Sequence, residues 1–452
     1  MESCQVNNAT KSSRLSTSRV IRPWSVQGSG TPQRIARGEG PWFITSDGKR
    51  ILDFASGWAT TSLGHSHQAI SEAIREQLDR IAWAPPNFAL DIRDEYAEAL
   101  SRLAPWVEGC RSWFVTGGGQ ANEDAVTIAR LLTGRHKVLT AYRSFHGNTV
   151  ASSALTGSSR RWATEAWQPG GTVRFWAPNP YRSPFHTDDP ALEVTRALAH
   201  LDEVVAAEKF DSIAAILLEP VVGSEGLIVY PDGYLAGVQA LAEKAGIILI
   251  FDEVITGFGR VGAPFAAQRI GVTPDMITFG KGCNSGAVPL GGVLIREGLA
   301  RHFDSSFFPL GQTYSAHPLG MASGLAALNV CLAEDLYTRG VEIECWIREA
   351  MEVLVQRHSI VGHVRGLGAM WGMELVSDRA TREPLVSWHS PNQSIVARFF
   401  DELLQDGLLM HGKYSIPQVL PPLTISRSDV EVGFEMLDRA LTRLNNQLGV
   451  LP

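Results

Sequence analysis

The feature that most restricts the fold of this chain is a succession of short apolar runs separated by segments of helical spacing. "SWFVT" (112–116), "KVLTA" (137–141), "SIAAILLEP" (212–220), "GIILIFDE" (246–253), "MITFGK" (276–281) and "GGVLI" (291–295) read as strands. Between the first two stands "GGGQANEDAVTIARLL", whose Ala125, Ile128, Ala129 and Leu132 recur at i, i+3, i+4 and i+7, one face of a helix. Strands alternating with helices build an α/β domain around a largely parallel sheet. The character changes after about residue 320. "MASGLAALNVCLAED" is a small-residue helix, a long helical stretch runs to about His358, and "VRGLGAMWGMEL" reads as a strand with glycine-rich turns. A last helix is expected from Asp429 to about Leu444, with Ser428 and Glu431 spaced as its capping box. The expected organisation is a disordered tail at 1–20, an N-terminal segment at 21–70 joining a small α+β domain at 326–452, and a large domain at 71–325.

Composition removes several classes of function. A chain of 452 residues exceeds one core, and 44% hydrophobic with 19% charged residues describes an ordinary globular protein. A net charge of −7 argues against a general nucleic-acid binder, which needs a basic face. Cys4, Cys110, Cys283, Cys331 and Cys345 are odd in number, widely spaced and without a C-x-x-C, so neither a disulfide framework nor a metal site is expected. No apolar run approaches the length of a bilayer span. The polar, basic N-terminus lacks the apolar stretch of a secretory signal. A cytoplasmic location is the expectation, with organellar transit as the alternative use of the tail.

Four elements carry chemistry, each at the C-terminal end of a predicted strand, the edge where open parallel sheets bind ligands. "TGGGQANE" (116–123) puts Gly118, Gly119 and Gln120 at a helix start, where bare backbone and unpaired N–H groups suit a phosphate. It is neither G-x-G-x-x-G nor a P-loop, and a tight turn with no ligand is the competing reading. "SFHGNT" (144–149) offers Phe145 to stack on a planar ring and His146 to hydrogen-bond beside it; singly, these read as a core aromatic and a surface loop residue. In "IILIFDEVITGFGR" (247–260) five apolar residues run into Asp252 and Glu253, and in "TFGKGCNSG" Lys281 stands between glycines at a strand end. A buried lysine is costly unless paired or used covalently.

Taken together these residues define a cofactor. A lysine amine condenses with an aldehyde, an aspartate keeps a pyridine nitrogen protonated, glycines at a helix start hold a phosphate, and an aromatic covers the ring. The group is pyridoxal 5′-phosphate. A carboxylate about 4 Å from a unit positive charge gains roughly 4 kcal/mol at an effective dielectric of about 20. That is up to roughly three pKa units for the ring nitrogen before desolvation takes some back. Asp252 is therefore read as the pyridinium partner, Val254 as an apolar contact on the ring face opposite Phe145, and Glu253 as structural.

The chain resembles the class III aminotransferases, the ω-amino-acid group of pyridoxal-phosphate enzymes with fold type I. The resemblance runs from about Arg22 to Leu441 through "GPWFITSDGKRILDFASG", "LGHSH", "GGGQANE", "FHGNT", "LEPVVGSEG", "FDEVITGFGRVG", "FGKG", "PLGGVLI", "GQTYSAHPLGMASGLAAL", "VRGLGAMWGMEL" and "LPPLTIS". It implies a large domain with a mainly parallel sheet flanked by helices, a smaller α+β domain, and a homodimer, or a pair of dimers, with active sites at the interface. It implies that Thr313 reaches the phosphate of the partner subunit's cofactor and that Glu219 lies near the ring substituents. It implies Trp58 at the substrate pocket, with Trp83 and Phe88 as further walls; plain core is the competing reading for these aromatics.

Four departures bear on function. The family usually has Tyr where Phe145 stands, and its Gly-Ser phosphate turn reads Gly118-Gly119 here, followed by Gln120 where Glu is common. Many members carry an arginine about ten residues before the "PP" pair to bind substrate carboxylates; "MHGKYSIPQVLPP" has none, leaving His411 or Lys413 as weaker substitutes. The expected reaction moves an amino group from a primary amine or ω-amino acid to a keto acid, pyruvate first, in two ping-pong stages. A lyase, aminomutase or epimerase is the alternative that the missing phenol raises. A non-catalytic protein that keeps the fold is the remote one, set against intact Lys281 and Asp252.

Overall fold

The computed structural model describes residues 19–27, 32–387 and 394–449. Cys4 and the tail expected at 1–20, apart from Arg19 and Val20, lie outside the described residues.

A seven-stranded sheet organises the molecule. Its strands are β1 (Cys110–Val115), β2 (Lys137–Ala141), β3 (Thr172–Phe175), β4 (Ile213–Leu218), β5 (Ile248–Asp252), β6 (Met276–Phe279) and β7 (Gly291–Arg296), in the order β1-β7-β6-β5-β4-β2-β3. β5 runs parallel to both β4 and β6, and β2 to both β4 and β3; β7 alone is antiparallel to its neighbours. β4 and β5 are buried at every position, which explains why their sequences are continuously apolar rather than alternating. β7 reverses direction because only an eleven-residue loop, 280–290, separates it from β6, too little for the usual helical crossover of a parallel pair. That loop holds Lys281.

Helix α1 (Gly118–Thr133) follows β1 and buries Ala121, Ala125, Ile128 and Ala129 against the sheet, with Leu132 partly buried beside them. It stops at Gly134, whose φ of 68° is the left-handed conformation that glycine adopts without a Cβ penalty. The small-residue helix α2 (Pro318–Ala333) leads into α3 (Leu336–Arg357) through a bend of 67°. Among the described residues no single helix is long and apolar enough to cross a membrane.

The second body joins chain segments from both ends. Strand Arg50–Asp53 pairs in parallel with Leu408–Leu409, Leu52 opposite Leu408 and Asp53 opposite Leu409. The hairpin Val361–Leu367 with Met370–Asp378 extends through Ile416–Val419 to His411–Lys413. Leu52 and Phe54 share one buried cluster with Ile343 of α3, Met373 of the hairpin and Leu441 of the last helix, α4 (Arg427–Leu448). The start of α4 corrects the sequence reading. Ser426, not Ser428, is its N-cap, accepting from Asp429 N–H at 3.0 Å, and Glu431 pairs with Arg427 at 3.2 Å instead of closing a box. Two serines stand two residues apart, and the chain turns helical at the earlier one.

Arg260 fastens the two bodies together. Its guanidinium is fully buried and donates to the carbonyls of Ala369 and Pro421 and to the Ser56 hydroxyl. Burial lowers its pKa to about 10.

Candidate active site

Asp252 ends β5 in register with Thr278 of β6, and Lys281 follows three residues later. Adjacent strand tips thus bring the acid and the amine together. The Asp252 carboxylate is almost wholly buried and held on both oxygens. Oδ2 accepts from His146 Nδ1 and from Asn122 Nδ2, each at 2.7 Å, and Oδ1 accepts from Val254 N–H at 3.1 Å. Asn122 is itself oriented: its carbonyl takes the Thr278 hydroxyl at 2.6 Å and its amide also reaches His146 O at 2.9 Å. Glu253, on the other side of the strand, accepts from the N–H groups of Ala266 and Ala267 and from Thr256, so it holds a loop and caps the following helix.

Lys281 has a backbone φ of +45°, left-handed for a residue with a Cβ, a strain of order 1–3 kcal/mol that the surrounding fold must sustain. Burial lowers its pKa to about 8, although the nearby charges of Asp252 and Glu219 oppose that shift. Glu219 is displaced the other way, up to about 7, by burial and by Asp252, against the pull of His146. Its oxygens accept from Phe145 N–H at 2.9 Å and Gly223 N–H at 2.8 Å.

The Lys281 side chain opens into a cleft of about 280 Å³ lined by Trp24, Trp58, Phe145, Arg160, Ile255 and His411, among others. Trp58 stands in the cleft, 4.9 Å from Trp24 and 6.2 Å from His411 between ring centroids. Neither substitute anion anchor suggested by the sequence offers a spare charge. Lys413 is paired with the buried carboxylate of Glu225, and burial brings the His411 imidazole down to about 4, so it is neutral near pH 7. Trp83 and Phe88 do not line the cleft. They are exposed, and Trp83 Nε1 donates to the carbonyl of Thr313, itself exposed, at 3.2 Å. Arg93 ties this patch together by donating to the carbonyls of Ala84, Pro85, Phe88 and Ala316.

The family model for class III aminotransferases matches residues 25–441. The chain belongs to the class III aminotransferases. Among its relatives is an ω-aminotransferase of Caulobacter vibrioides, 32% identical over 92% of this chain and 94% of that protein. A taurine:2-oxoglutarate aminotransferase from Bifidobacterium kashiwanohense, solved with pyridoxal phosphate and glutamate, superposes with a TM-score of 0.92 at 36% identity, over 95% of this chain and 96% of that one. An (S)-enantioselective ω-transaminase from Thermomicrobium roseum gives 0.88 at 34% identity, over 94% and 96%. These neighbours share fold type I, as the sequence resemblance implied.

Class III aminotransferases work with pyridoxal 5′-phosphate, and the residues present fit that group. A Cβ on Gly118 would lie 2.6 Å from Val254 Cγ2, and one on Gly119 would lie 3.3 Å from Gly147 Cα, so the opening turn of α1 must present bare backbone. Unpaired N–H groups at such a helix start suit a phosphate. Gln120, in the same turn, accepts from the Thr116 hydroxyl at 3.1 Å. Val254 packs its methyl groups beside Gly118 at the start of α1, and its neighbour Ile255 lines the cleft. His146 Nε2 is buried without a hydrogen-bond partner among the described residues, on the ring whose Nδ1 serves Asp252.

Sequence reasoning on this aminotransferase missed Asn122, Thr278, Arg160, Trp24, Glu225 and Arg93. One signal was present for Asn122: it follows Ala121 on the inward face of a helix, where a polar side chain needs a partner.

Proposed function

We propose that this aminotransferase takes an amino group from a primary amine or ω-amino acid and passes it to a keto acid, pyruvate first, in two half-reactions at one site. The observation that carries the reading is the meeting of Asp252 and Lys281 at the tips of adjacent strands beside the glycine-lined start of α1. The names of the Caulobacter and Thermomicrobium relatives support the donor class.

Pyridoxal phosphate, when bound, supplies an electron sink for the bond that breaks at the substrate carbon. Asp252, fixed by His146 and Asn122, holds a proton on the ring nitrogen. Lys281 moves the proton at the reacting substrate carbon. With a pKa of about 8 a useful fraction of its amine is neutral base near pH 7, and the conjugate acid returns the proton. Gly118 and Gly119 give the phosphate its backbone donors. Phe145 supplies an apolar wall without a phenol hydroxyl. Trp58 and Ile255 line the cleft beside Lys281 and narrow it. The exposed Trp83, Phe88 and Thr313 patch supports a homodimer in which Thr313 serves the partner subunit's site.

Mixing holoenzyme with an amine donor and no keto acid tests the reaction class. One carbonyl product per site is expected, followed by arrest until pyruvate is added. A lyase, aminomutase or epimerase, the reading that the lost phenol raises, turns over without a keto acid. Lys281→Ala should abolish product release; a fully active variant would overturn the assignment.

A further inference from the structure

We propose that Asp53 and His65, neither of which lines the cleft, are positioning residues that set its width: together they lock the turn Ser56–Ala59 in a left-handed conformation that holds the Trp58 indole in the cleft. The inference rests on the transamination reading only for the donors that test it.

All four residues of that turn have positive φ: 43° at Ser56, 52° at Gly57, 78° at Trp58 and 59° at Ala59. L-residues visit this region singly, because the Cβ crowds the following carbonyl; of the four, only Gly57 is exempt. A run of this kind has to be held. Within it, Ala59 N–H reaches Ala55 O and Thr60 N–H reaches Ser56 O, both at 2.7 Å. The rest of the hold comes from Asp53, fully buried at the tip of strand Arg50–Asp53. Its Oδ1 accepts from Ala55 N–H at 2.9 Å, and its Oδ2 from Gly57 N–H at 2.8 Å and from His65 Nε2 at 2.9 Å. The carboxylate only accepts, so Nε2 carries the hydrogen. His65 is fixed in turn. Its ring lies 3.8 Å from that of Phe43 between centroids, and its N–H donates to Gly40 O at 2.7 Å. Gly38 makes room for it, since a Cβ there would come within 2.4 Å of His65 Cβ.

What the turn delivers is Trp58. Trp58 and Ala59 line the cleft with Lys281, and the indole sits between Trp24 and His411. Ser56 ties the turn to the second body, its hydroxyl donating to Leu420 O at 2.6 Å and accepting from Arg260 at 3.3 Å. The backbone under Trp58 is thus fixed from both sides. In a relaxed right-handed turn its Cα–Cβ bond would leave in another direction and the indole would quit the cleft. A purely structural role for Asp53 accounts for its hydrogen bonds. It does not account for their being applied to a conformation that an ordinary turn avoids, and strain of this kind gathers where a side chain must be aimed at a ligand.

The test uses holoenzymes carrying Asp53→Asn, His65→Ala or His65→Gln, each alone and with Trp58→Ala. The donors are 1-cyclohexylethylamine, which is bulky, and propylamine, which is slim, with pyruvate as acceptor. Weakening the hold of a buried carboxylate should raise the bulky-to-slim ratio of kcat/KM about tenfold in Asp53→Asn and His65→Ala. His65→Gln keeps a donor and should fall between wild type and His65→Ala. With Trp58→Ala already present, the same changes should leave the ratio unmoved, because the residue they act through is gone. A second readout needs no turnover. The indoles of Trp24 and Trp58 are close enough to couple, and their near-ultraviolet circular dichroism is the wild-type spectrum minus that of Trp58→Ala. That band should shrink in Asp53→Asn and His65→Ala. A lower Tm with ratio and band unchanged, or a ratio shift that persists without Trp58, overturns the proposal. If wild type transfers no amino group, the reaction class has failed and the band alone decides the role of Asp53 and His65. If Asp53→Asn does not fold, His65→Ala carries the same comparison.

Discussion

Asn122 Nδ2 lies 2.7 Å from Asp252 Oδ2, and the same amide group is oriented from its other end by Thr278 at 2.6 Å. A helix, a strand tip and the neighbouring strand therefore aim one buried carboxylate. Removing a donor from a buried charged acceptor costs about 1–3 kcal/mol. Asn122→Ala is expected to lower kcat/KM and cofactor affinity about tenfold each, read by steady-state rates and by titrating apoenzyme with pyridoxal phosphate. Asn122→Asp should be worse than Ala, because a second carboxylate beside Asp252 raises one of the pair and weakens the negative charge at the ring nitrogen.

The amine of Lys281 sets a pH dependence whose sign is fixed. Its pKa is lowered to about 8, and only the neutral amine is a nucleophile. The rate at which apoenzyme takes up pyridoxal phosphate should climb with pH and level off above about 8, where an ordinary lysine would still be climbing. Stopped-flow absorbance measures this directly. Glu219 opposes the lowering, so Glu219→Gln should move the inflection to lower pH.

Glu253 accepts two helix N–H groups and a hydroxyl while fully buried. Glu253→Ala leaves those donors without partners and should cost about 2–4 kcal/mol of stability, seen as a lower Tm of the apoenzyme. Its folded pKa is raised to about 7. The folded state thus holds the proton longer than the unfolded chain. The stability this group contributes is full below about 4.5 and is lost as pH rises through about 7. Melting curves of Glu253→Gln should lack that slope.

Arg93 joins the Ala84–Phe88 loop to Ala316 through four carbonyls. Arg93→Ala is expected to loosen the exposed patch that carries Trp83, Phe88 and Thr313. Sedimentation tests the homodimer proposed above: the variant should dissociate at protein concentrations where wild type does not, with weaker cofactor retention. Arg93→Lys, with fewer donors on a flexible stem, should restore only part. A dimer unmoved by both changes would separate Arg93 from assembly.

The strand tips were legible because their chemistry is local. Apolar runs ending in Asp252 and Lys281 report both a buried strand and the residue at its mouth. The start of α1 announces itself through adjacent glycines. What was hidden depends on distance along the chain. Asn122 meets partners 24, 130 and 156 residues away. Arg160 owes its setting to Trp24 and Phe145, from segments with no shared pattern. Lys413 looked like a free cation because Glu225, which cancels it, lies 188 residues earlier. Ser428 was mistaken for a cap because spacing alone does not tell it from Ser426.

Arg260 draws one consequence for how this molecule admits its substrates. Parting the two bodies would strip a guanidinium of its carbonyl partners in a dry interior, so a rocking jaw is a poor way to open the entrance. Room for bulkier donors is then set at the rim, where Trp24 and Trp58 line the cleft. Substrate range should therefore yield to trimming Trp24 and Trp58 while the Arg260 tie is left intact.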